Sequence, residues 1–426
     1  MRLRRAASAA ISRRERDGGR QMKIVFVHQN FPGQFGRLAA IFAAEGHEVV
    51  ALGTVKSCAI PGVTYYPYTP VPGPDSAGFQ NRYAPVIPHL QRAYGVAAQA
   101  RALAKQGFQP DLVVVNTGWG ENLFLKDVWP DARHVAYFEY YYAAKGGDVD
   151  FDPEFPVRNE EILWRLRVKN AMQLAAFDAA DAAVAPTRYQ RDTFPPYLRD
   201  RIEVIHDGIE AERLQPDPSA TIQIGADGLR LSRDVPVVTY VTRNIEPMRG
   251  SHVVIRALPE ILGLDPRLHV VCIGGNNVSY SSRPPDGKTW FDIFRAGVKG
   301  PVDWSRVHFV GRVPYPQFVR VLQASSAHLY LTYPFVLSWS LIEAMALGCR
   351  IVASDTAPVR EVIEDGENGR LFPFFDRQAL VDRVRDTLTD KAAAETRARA
   401  ARRRAVELYD FRTVCLPQWR HFLGVT

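Results

Sequence analysis

Short runs of β-branched residues alternate with helical patterns along almost the whole chain. Runs of this kind are typical of strands that lie in a parallel sheet and are covered by helices on both faces. The strands predicted in the first half are KIVFVHQN (23–30), EVVALG (48–53), DLVVVN (111–116), HVAYFEYYY (134–142) and DAAVAPT (181–187). Helices are predicted over 36–47 and within 159–180. The first half of the chain is therefore predicted to form a doubly wound α/β domain.

The same alternation restarts after Leu214–Ser219, a stretch rich in Pro and Asp. The strands predicted there are PVVTYVTR (236–243), LHVVCIGG (268–275), RVHFVG (306–311), AHLYLTYP (327–334) and RIVASD (350–355). The predicted helices cover 251–263, 315–325, 340–347 and much of the chain after 376. We therefore predict two Rossmann-like domains that face each other across a cleft, because ligands collect at the carboxyl ends of parallel strands.

The length of 426 residues exceeds one ordinary core and has room for two domains of about 200 residues each. The expected parts are a disordered basic extension (1–21), an N-terminal Rossmann-like domain (22–213), a C-terminal Rossmann-like domain (214–405) and a helix that packs back on the first domain (406–426). The extension superficially suggests a transit peptide. It contributes +5 of the net charge of +7, so the rest of the chain carries only +2. No basic stripe follows the predicted elements, which argues against nucleic-acid binding.

The four cysteines are scattered and show no metal-ligand or redox spacing. They are Cys58, Cys272, Cys349 and Cys415. This pattern is typical of core thiols in a reducing compartment, so we expect a cytoplasmic protein. The most apolar stretch, 335–354, contains Glu343 and Arg350 and is therefore not expected to span a membrane. A peripheral contact with the inner face of a membrane is kept as an alternative.

Two places in the first half carry candidate site residues at the ends of predicted strands. Gly33 and Gln34 lie in the turn HQNFPGQFG, where glycine lets backbone amides approach a phosphate or a sugar. An ordinary strand-to-helix turn is the alternative. Glu139 follows the strand predicted at 134–142, and it is either a site carboxylate or a solvent-facing residue at the rim.

Two arginines in the second half follow a predicted strand and precede a predicted helix. Arg243 ends the strand at 236–243, and Arg249 lies just before the helix at 251–263. Two guanidinium groups at such a position form a fork that suits a diphosphate. The alternative is a pair of ordinary surface arginines.

The stretch YPFVLSWSLIEAMALG (333–348) places a single acid, Glu343, on the first turn of an apolar helix. One explanation is a capping box, in which Ser340 and Glu343 satisfy each other's backbone N–H groups. The other explanation is a ligand whose anionic part lies at the helix N-terminus. A carboxylate beside a bound diphosphate suits a ribose diol, as acidic residues do in dinucleotide sites.

The order of six motifs resembles glycosyltransferase family 4, whose members are retaining, nucleotide-sugar-dependent enzymes of GT-B architecture. The motifs are MKIVFVHQNFPGQF, VIHDGI (204–209), TRNIEPMRG (242–250), VGRVPY (310–315), EAMALG (343–348) and SDTAPVREVIEDGENGRLF (354–372). The resemblance runs from Met22 to about Tyr409, and the block 333–372 is its most specific part.

The resemblance implies a role for each candidate residue. Arg243 and Arg249 match the basic pair that binds the donor diphosphate, and Glu343 matches the glutamate that binds the donor ribose. The remaining implied donor contacts are Gly33 and Gln34 in the loop that closes over the phosphates, Val310, Gly311 and Arg312 near the nucleobase, and Ser338, Trp339 and Ser340 at the helix N-terminus. Together with the two arginines, Glu139 completes the expected catalytic set.

The chain departs from the family pattern at two positions. Phe335 stands where the family has a first glutamate near the transferred sugar, so one sugar hydroxyl would lose its carboxylate acceptor. Many members also carry a histidine near the position of Glu139. An altered subgroup of the family explains both departures, because the arginine pair and Glu343 persist.

The expected function is a hexosyltransferase-like reaction in glycan or glycoconjugate biosynthesis that retains anomeric configuration. The donor is a nucleoside-diphosphate sugar, the acceptor is a glycan, lipid-linked or other hydroxyl, and no metal or other cofactor is expected. Two alternatives are a nucleotide-sugar epimerase of the same architecture and a catalytically silent nucleotide-sugar-binding partner protein. The insertion 276–304 is expected to form a lid or a binding surface. Tyrosines in 65–94 and 140–142 would either stack on acceptor sugars or pack in the core.

Overall fold

The computed structural model describes residues 20–72, 86–156, 161–225 and 228–425. The chain forms two compact units, and each contains a parallel sheet. The first unit holds the described residues through Ala144, Phe155–Asp207 and the residues from Cys415 onward. The second unit holds Lys145–Glu154 and Gly208–Val414. The prediction of an α/β fold with two Rossmann-like sheets is confirmed, whereas nearly all of the predicted extension 1–21 lies outside the described residues.

The sheet of the first unit has seven parallel strands in the order β3-β2-β1-β4-β5-β6-β7. The strands are β1 (Lys23–Val27), β2 (Glu48–Gly53), β3 (Val63–Pro67), β4 (Leu112–Asn116), β5 (Arg133–Tyr137), β6 (Ala182–Ala185) and β7 (Ile202–Val204). The α-helices of this unit are Gly36–Ala44, Ile87–Lys105, Leu125–Val128, Glu161–Asp178, Arg188–Asp192, Pro196–Arg199 and Leu416–Leu423. Every residue of β4 is buried, as expected for a central strand covered on both faces.

The sheet of the second unit has six parallel strands in the order β12-β11-β10-β13-β14-β15, and a short antiparallel pair, β8-β9, accompanies it. The strands are β8 (Ile222–Ile224), β9 (Leu229–Leu231), β10 (Val237–Asn244), β11 (His269–Gly275), β12 (Val307–Gly311), β13 (Ala327–Tyr330), β14 (Ile351–Ser354) and β15 (Arg370–Phe372). The α-helices are Ser251–Arg256, Leu258–Leu262, Trp290–Ala296, Tyr315–Gln323, Trp339–Ala346, Ala357–Arg360, Arg377–Thr389 and Lys391–Tyr409.

The helix Trp339–Ala346 is deeply buried. Its residues from Leu341 through Ala346 are all buried, and the five apolar ones lie in one cluster with residues of β14 and of the helix Lys391–Tyr409. Burial of a large apolar side chain stabilises a fold by about 1.5–3 kcal/mol. The core therefore fixes the N-terminus of this helix, and with it the position of Ser338.

No helix in the described ranges is both long and apolar enough to cross a membrane.

Candidate functional site

The strand order of the second sheet has a switch point between β10 and β13. The chain leaves β10 towards β11 on one side and reaches β13 on the other side only after β12. In open α/β sheets, ligands bind outside the carboxyl ends of the strands at such a point. The loop after β10 carries Arg249, and the loop after β13 leads to the helix Trp339–Ala346. The topology therefore selects these two loops as a candidate site.

Arg249 is a buried cation whose neighbours are neutral oxygens. Only 6% of the residue is exposed. Its Nη1 donates to Oγ1 of Thr332 at 2.7 Å and to the carbonyl of Val336 at 3.1 Å. Within the described ranges it makes no ion pair with a carboxylate, although desolvating an unpaired charge is costly. A buried positive charge of this kind suits an anionic ligand.

The backbone around Arg249 is held by a glycine and a tyrosine. Gly250 adopts a φ of +70°, and a Cβ at this position would lie 2.6 Å from side-chain atoms of Leu331. Glycine is therefore required both by the conformation and by the close approach. The hydroxyl of Tyr240 donates to the carbonyl of Arg249 at 2.6 Å. These contacts set the direction in which the guanidinium leaves the loop.

The N-terminus of the helix Trp339–Ala346 lies beside the same arginine. Ser338 is the N-cap, and its hydroxyl accepts from the backbone N–H of Ser340 at 3.3 Å. The N–H of Ser338 donates to the hydroxyl of Tyr330 at 2.9 Å. Burial raises the pKa of Tyr330, and the guanidinium of Arg249, bonded to the same hydroxyl, partly opposes this rise. The structure thus brings together Arg249 and the predicted helix N-terminus at 338–340.

Glu343 does not belong to the helix cap. The capping box between Ser340 and Glu343, one of the two explanations that the sequence allowed, does not form, because Ser338 caps the helix and Glu343 is its fifth residue. Glu343 is 9% exposed, and its Oε1 accepts from the hydroxyl of Tyr315 at 2.8 Å. Tyr315 is itself 54% exposed, so the carboxylate is bonded to a group that reaches solvent. The role of Glu343 as a ribose acceptor stays a prediction.

Arg243 differs from Arg249 in its surroundings. Its side chain is exposed near the end of β10, while its neighbours Thr242 and Asn244 are buried. Within the described ranges it makes no ion pair, and nothing holds its guanidinium as Thr332 holds that of Arg249. One arginine of the predicted fork is therefore fixed by the protein, and the other faces solvent.

The predicted nucleobase loop, Val310–Arg312, begins within β12, whose last two residues are Val310 and Gly311. Val310 and Gly311 are half-buried, and Gly311 adopts a φ of +68°. Nη2 of Arg312 donates to Oδ1 of Asn244 at 3.1 Å, which ties this loop to the end of β10. The two predicted donor segments of the second unit are thus linked, and their contact with a base stays a prediction.

Sequence reasoning missed a buried polar cluster that flanks Arg249. Oδ2 of Asp152 accepts from the hydroxyl of Tyr333 at 2.5 Å and lies 3.0 Å from Nε2 of His252. Burial alone would raise the pKa of Asp152, but the bonds from His252 and Tyr333 outweigh it and hold this pKa below its usual value. The only signal in the sequence is the acidic segment VDFDPEF, whose three acids do not single out Asp152 and which lies far from 252 and 333 along the chain.

The first unit has a separate polar cluster where β1, β4 and β5 end. Gly33 has a φ of +46°, and a Cβ on it would lie 2.5 Å from the ring of His28. The side-chain amide of Gln34 donates to Oε1 of Glu139, and that of Asn116 donates to the same oxygen at 3.4 Å. The structure therefore brings together Gln34 and Glu139, which are 105 residues apart in the sequence.

The carboxyl group of Glu139 titrates near neutral pH. Burial and the charge of Asp207 raise its pKa to about 7, although hydrogen bonds from Asn116 and Gln34 oppose the rise. Asp207 accepts from the hydroxyl of Tyr137 at 2.9 and 3.1 Å. The side chain of Glu139 is half-buried and bonded inward, so the alternative of a solvent-facing rim carboxylate does not fit.

Asp207 was not singled out as a site residue in the sequence, although the motif VIHDGI contains it. His28 in the same cluster is neutral, because burial lowers its pKa to about 4. Its Nδ1 accepts from the N–H of Asn30 at 2.9 Å. A neutral imidazole leaves Glu139 and Asp207 as the groups that set the charge of this cluster.

Two family models match the chain and together span most of it. The model described as "Glycosyl transferase family 4 group" matches residues 45–214, and that described as "Glycosyl transferases group 1" matches residues 228–404. These two ranges contain most of both sheets.

Curated relatives match at moderate identity. A D-inositol 3-phosphate glycosyltransferase of Nocardioides sp. is 28% identical over 232 residues, which are 51% of this chain and 49% of the relative. An alpha-maltose-1-phosphate synthase of Mycolicibacterium smegmatis is 25% identical over 318 residues, which are 71% of this chain and 78% of the relative. The chain thus spans about half the length of the first of these relatives.

A solved structure with the same fold is that of Anabaena HepE in complex with UDP and glucose. It matches with a TM-score of 0.65 at 18% identity, and the match covers 95% of this chain and all of that chain. At this identity the likeness establishes the fold, which is GT-B.

Proposed function

Because the chain belongs to glycosyltransferase family 4, we propose that it transfers a sugar from a nucleoside-diphosphate sugar to an acceptor hydroxyl and retains the anomeric configuration. The observation that carries this proposal is the buried guanidinium of Arg249 beside the N-terminus of the helix Trp339–Ala346. A cation and a helix N-terminus that converge in this way suit the diphosphate of such a donor.

The proposed chemistry needs charge stabilisation on the leaving group. The bond from the anomeric carbon to the diphosphate oxygen breaks, and negative charge grows on that oxygen. Arg249 and the amides at Ser338–Ser340 stabilise this charge as a preorganised anion site. The exposed Arg243 joins them when the donor binds, and Glu343 accepts from the ribose hydroxyls. Because arginines neutralise the diphosphate, the reaction needs no metal ion.

The acceptor side is assigned to the cluster in the first unit. The new bond joins the acceptor oxygen to the anomeric carbon on the face that the diphosphate leaves. The proton of the acceptor hydroxyl passes to the departing diphosphate oxygen in this front-face substitution. Glu139, whose pKa is about 7, contacts the acceptor hydroxyl and orients it. Gly33 and Gln34 contribute the loop that covers the donor phosphates.

The proposed substrate class rests on what similar proteins bind. UDP is the nucleotide in the HepE structure, and D-inositol 3-phosphate is the acceptor named for the Nocardioides relative. We assign to this chain a UDP- or GDP-linked hexose as donor and a glycan or lipid-linked hydroxyl as acceptor, in polysaccharide or glycoconjugate biosynthesis. The four free cysteines support a cytoplasmic location, where a peripheral membrane contact would bring lipid-linked acceptors within reach.

A thermal-shift screen of the full chain tests the proposal, with UDP, GDP, their glucose and mannose derivatives, and AMP as a control without a diphosphate. A ligand at 100 times its Kd adds about 2.7 kcal/mol to the free energy of unfolding. We expect at least one diphosphate series to raise the melting temperature in EDTA while AMP does not. Equal shifts with AMP, or shifts that appear only with Mg²⁺, would contradict the proposed site.

A further inference from the structure

The start of the insertion 276–304 is fixed to the loop that carries Arg249 by one buried carboxylate. Glu246 has no exposed surface. Its Oε2 accepts from three successive backbone N–H groups, those of Ser279 at 3.2 Å, Tyr280 at 3.0 Å and Ser281 at 3.0 Å. Three bonds to one oxygen define the path of the backbone at Tyr280 within narrow limits.

Further hydrogen bonds hold the same turn on both sides. Nδ2 of Asn244 donates to the hydroxyl of Ser279 at 2.5 Å, and Nε1 of Trp290 donates to the carbonyl of Ser282 at 3.0 Å. A buried carboxylate is costly to desolvate, and its three amide bonds offset that cost. Glu246 therefore acts as a positioning residue for the turn 279–282.

The turn places the ring of Tyr280 between Arg249 and Phe335. The guanidinium carbon of Arg249 lies 5.3 Å from the centre of the Tyr280 ring, within the range of a cation–π contact. The ring of Phe335 meets it edge-on at a centroid distance of 5.3 Å. Tyr280 is nevertheless 38% exposed, whereas Phe335 is only 6% exposed. Part of the Tyr280 ring therefore remains available to a ligand.

The position of this ring relative to the helix N-terminus indicates which part of a donor it meets. In a nucleoside-diphosphate sugar, the ribose and the transferred sugar lie on opposite sides of the diphosphate. The carboxylate of the proposed ribose acceptor, Glu343, accepts from Tyr315, which lies three residues after the predicted nucleobase loop 310–312. Phe335 lies before Ser338, and Tyr280 contacts Phe335 and Arg249. A diphosphate on Arg249 with its ribose on Glu343 therefore directs its sugar towards Tyr280.

We infer that Tyr280, positioned by Glu246, is a specificity-determining contact for the sugar of the donor. This inference rests on the proposed function. An aromatic ring recognises the C–H face of a sugar by packing, and Tyr280 and Phe335 provide no carboxylate that accepts from its hydroxyls. The subsite therefore selects a hexose by its apolar face, and it tolerates changes in the orientation of single hydroxyls.

The test compares the affinity of the full chain for UDP with that for UDP-glucose, and for GDP with that for GDP-mannose, by calorimetry. The measured quantity is the ratio of the two Kd values in the pair that binds. Tyr280→Leu removes the ring and should weaken binding of the sugar nucleotide about two- to tenfold. Binding of the free diphosphate should change less than twofold, because Thr332 and Val336 still hold Arg249.

Three further variants separate the ring from other effects. Tyr280→Phe keeps the ring and should retain the wild-type ratio. Glu246→Gln keeps a neutral hydrogen-bond acceptor for the turn. It should therefore weaken binding of the sugar nucleotide less than Tyr280→Leu does. Tyr197→Leu replaces a tyrosine of the first unit that is 69% exposed, and it should leave both affinities unchanged.

An unchanged ratio in Tyr280→Leu would overturn the inference and leave the proposed function intact. Equal weakening of both ligands in that variant would also overturn it, since Tyr280 would then only support Arg249. A loss in Tyr280→Phe as large as that in Tyr280→Leu would exclude ring packing. A wild-type chain that binds neither diphosphate would contradict the proposed function itself.

Discussion

At the scale of single residues, the site depends on where charges are buried and what neutralises them. Arg249 is buried against Thr332 and the Val336 carbonyl, with no carboxylate partner in the described part of the chain. Glu343 is buried, and its carboxylate accepts from the hydroxyl of Tyr315, a residue that reaches solvent. A buried charge that the protein itself does not neutralise is expected at a site where a ligand of opposite charge binds.

The substitution Glu343→Gln tests the ribose assignment. Because Ser338 caps the helix, the change removes no cap and should leave the melting temperature almost unchanged. A charge-assisted hydrogen bond is roughly twice as strong as a neutral one, so donor affinity should fall severalfold or more. Calorimetry with the nucleoside diphosphate measures this. Tyr315→Phe is the matched control, since it removes the hydroxyl that donates to Glu343 and leaves the carboxylate. Wild-type affinity in Glu343→Gln would remove Glu343 from the site.

The raised pKa of Glu139 predicts a dependence of stability on pH. Between its ordinary value of 4.5 and about 7, the folded state keeps a proton that the unfolded state has lost. The free energy of unfolding should therefore fall as the pH rises through this window and level off above it. Glu139→Gln should remove part of that slope.

Glu121 is the control for this measurement, because burial raises its pKa to about 7 as well. Glu121→Gln should flatten the stability curve in the same window, whereas only Glu139→Gln should change the pH dependence of turnover. Denaturant unfolding from pH 4.5 to 8 measures the first effect. Identical stability curves for the wild type and Glu139→Gln would show that the carboxyl titrates normally.

At the scale of elements, the strands buried on both faces were predictable, whereas some of the short or partly exposed ones were missed. The runs at β1, β4 and β10 are apolar over most of their length, so their residues alone indicate strands. The edge strand β3 contains two adjacent half-buried tyrosines and no fully buried residue, and it was interpreted only as part of an aromatic segment. Part of that segment, 73–85, lies outside the described residues.

The helix Ile87–Lys105 was missed because it contains a proline and a glycine. Pro88 is tolerated in its first turn, where no N–H partner is lost. Gly95 lies in its middle, where a Cβ would be 2.3 Å from the carbonyl oxygen of Thr69. The glycine is therefore required by the close packing of a neighbouring loop, which no local pattern shows.

Gly95→Ala should destabilise the first unit although alanine favours helices. The added Cβ must displace the backbone at Thr69, and overpacking of this kind costs roughly 1–3 kcal/mol. Denaturant unfolding measures the change. Gly263→Ala is the control, since its nearest atoms would lie 3.4 Å away and its φ is −71°. Equal stability of the two variants would contradict the packing explanation.

In the candidate site too, residues marked by the local sequence were predictable, whereas their partners from distant parts of the chain were not. Arg249 and Glu343 were predictable because a strand end and a helix start mark them in the sequence. The partners that fix them were not, since Thr332 and Tyr315 are 83 and 28 residues away from them. The helix predicted at 340–347 begins one residue earlier, at Trp339. The sequence offers two serines, Ser338 and Ser340, and serine is a good N-cap at either position.

At the scale of the whole molecule, two sheets of the same topology carry different polar clusters at their carboxyl ends. The second unit concentrates positive charge at Arg249 and a helix N-terminus. The first unit concentrates acid, in Glu139 and Asp207. This division fits the proposed function, in which the donor carries a diphosphate and the acceptor carries a hydroxyl.

The central claim is that Arg249 binds the donor diphosphate, and calorimetric titration of Arg249→Ala tests it most directly. UDP and GDP are titrated in EDTA into the wild type, Arg249→Ala and the control Arg360→Ala, whose arginine pairs with Asp355. Loss of a charge-assisted bond costs roughly 1.5–3 kcal/mol, so Arg249→Ala should weaken binding about ten- to a hundredfold. Arg360→Ala should bind as the wild type does. Equal affinity of the wild type and Arg249→Ala would contradict the account.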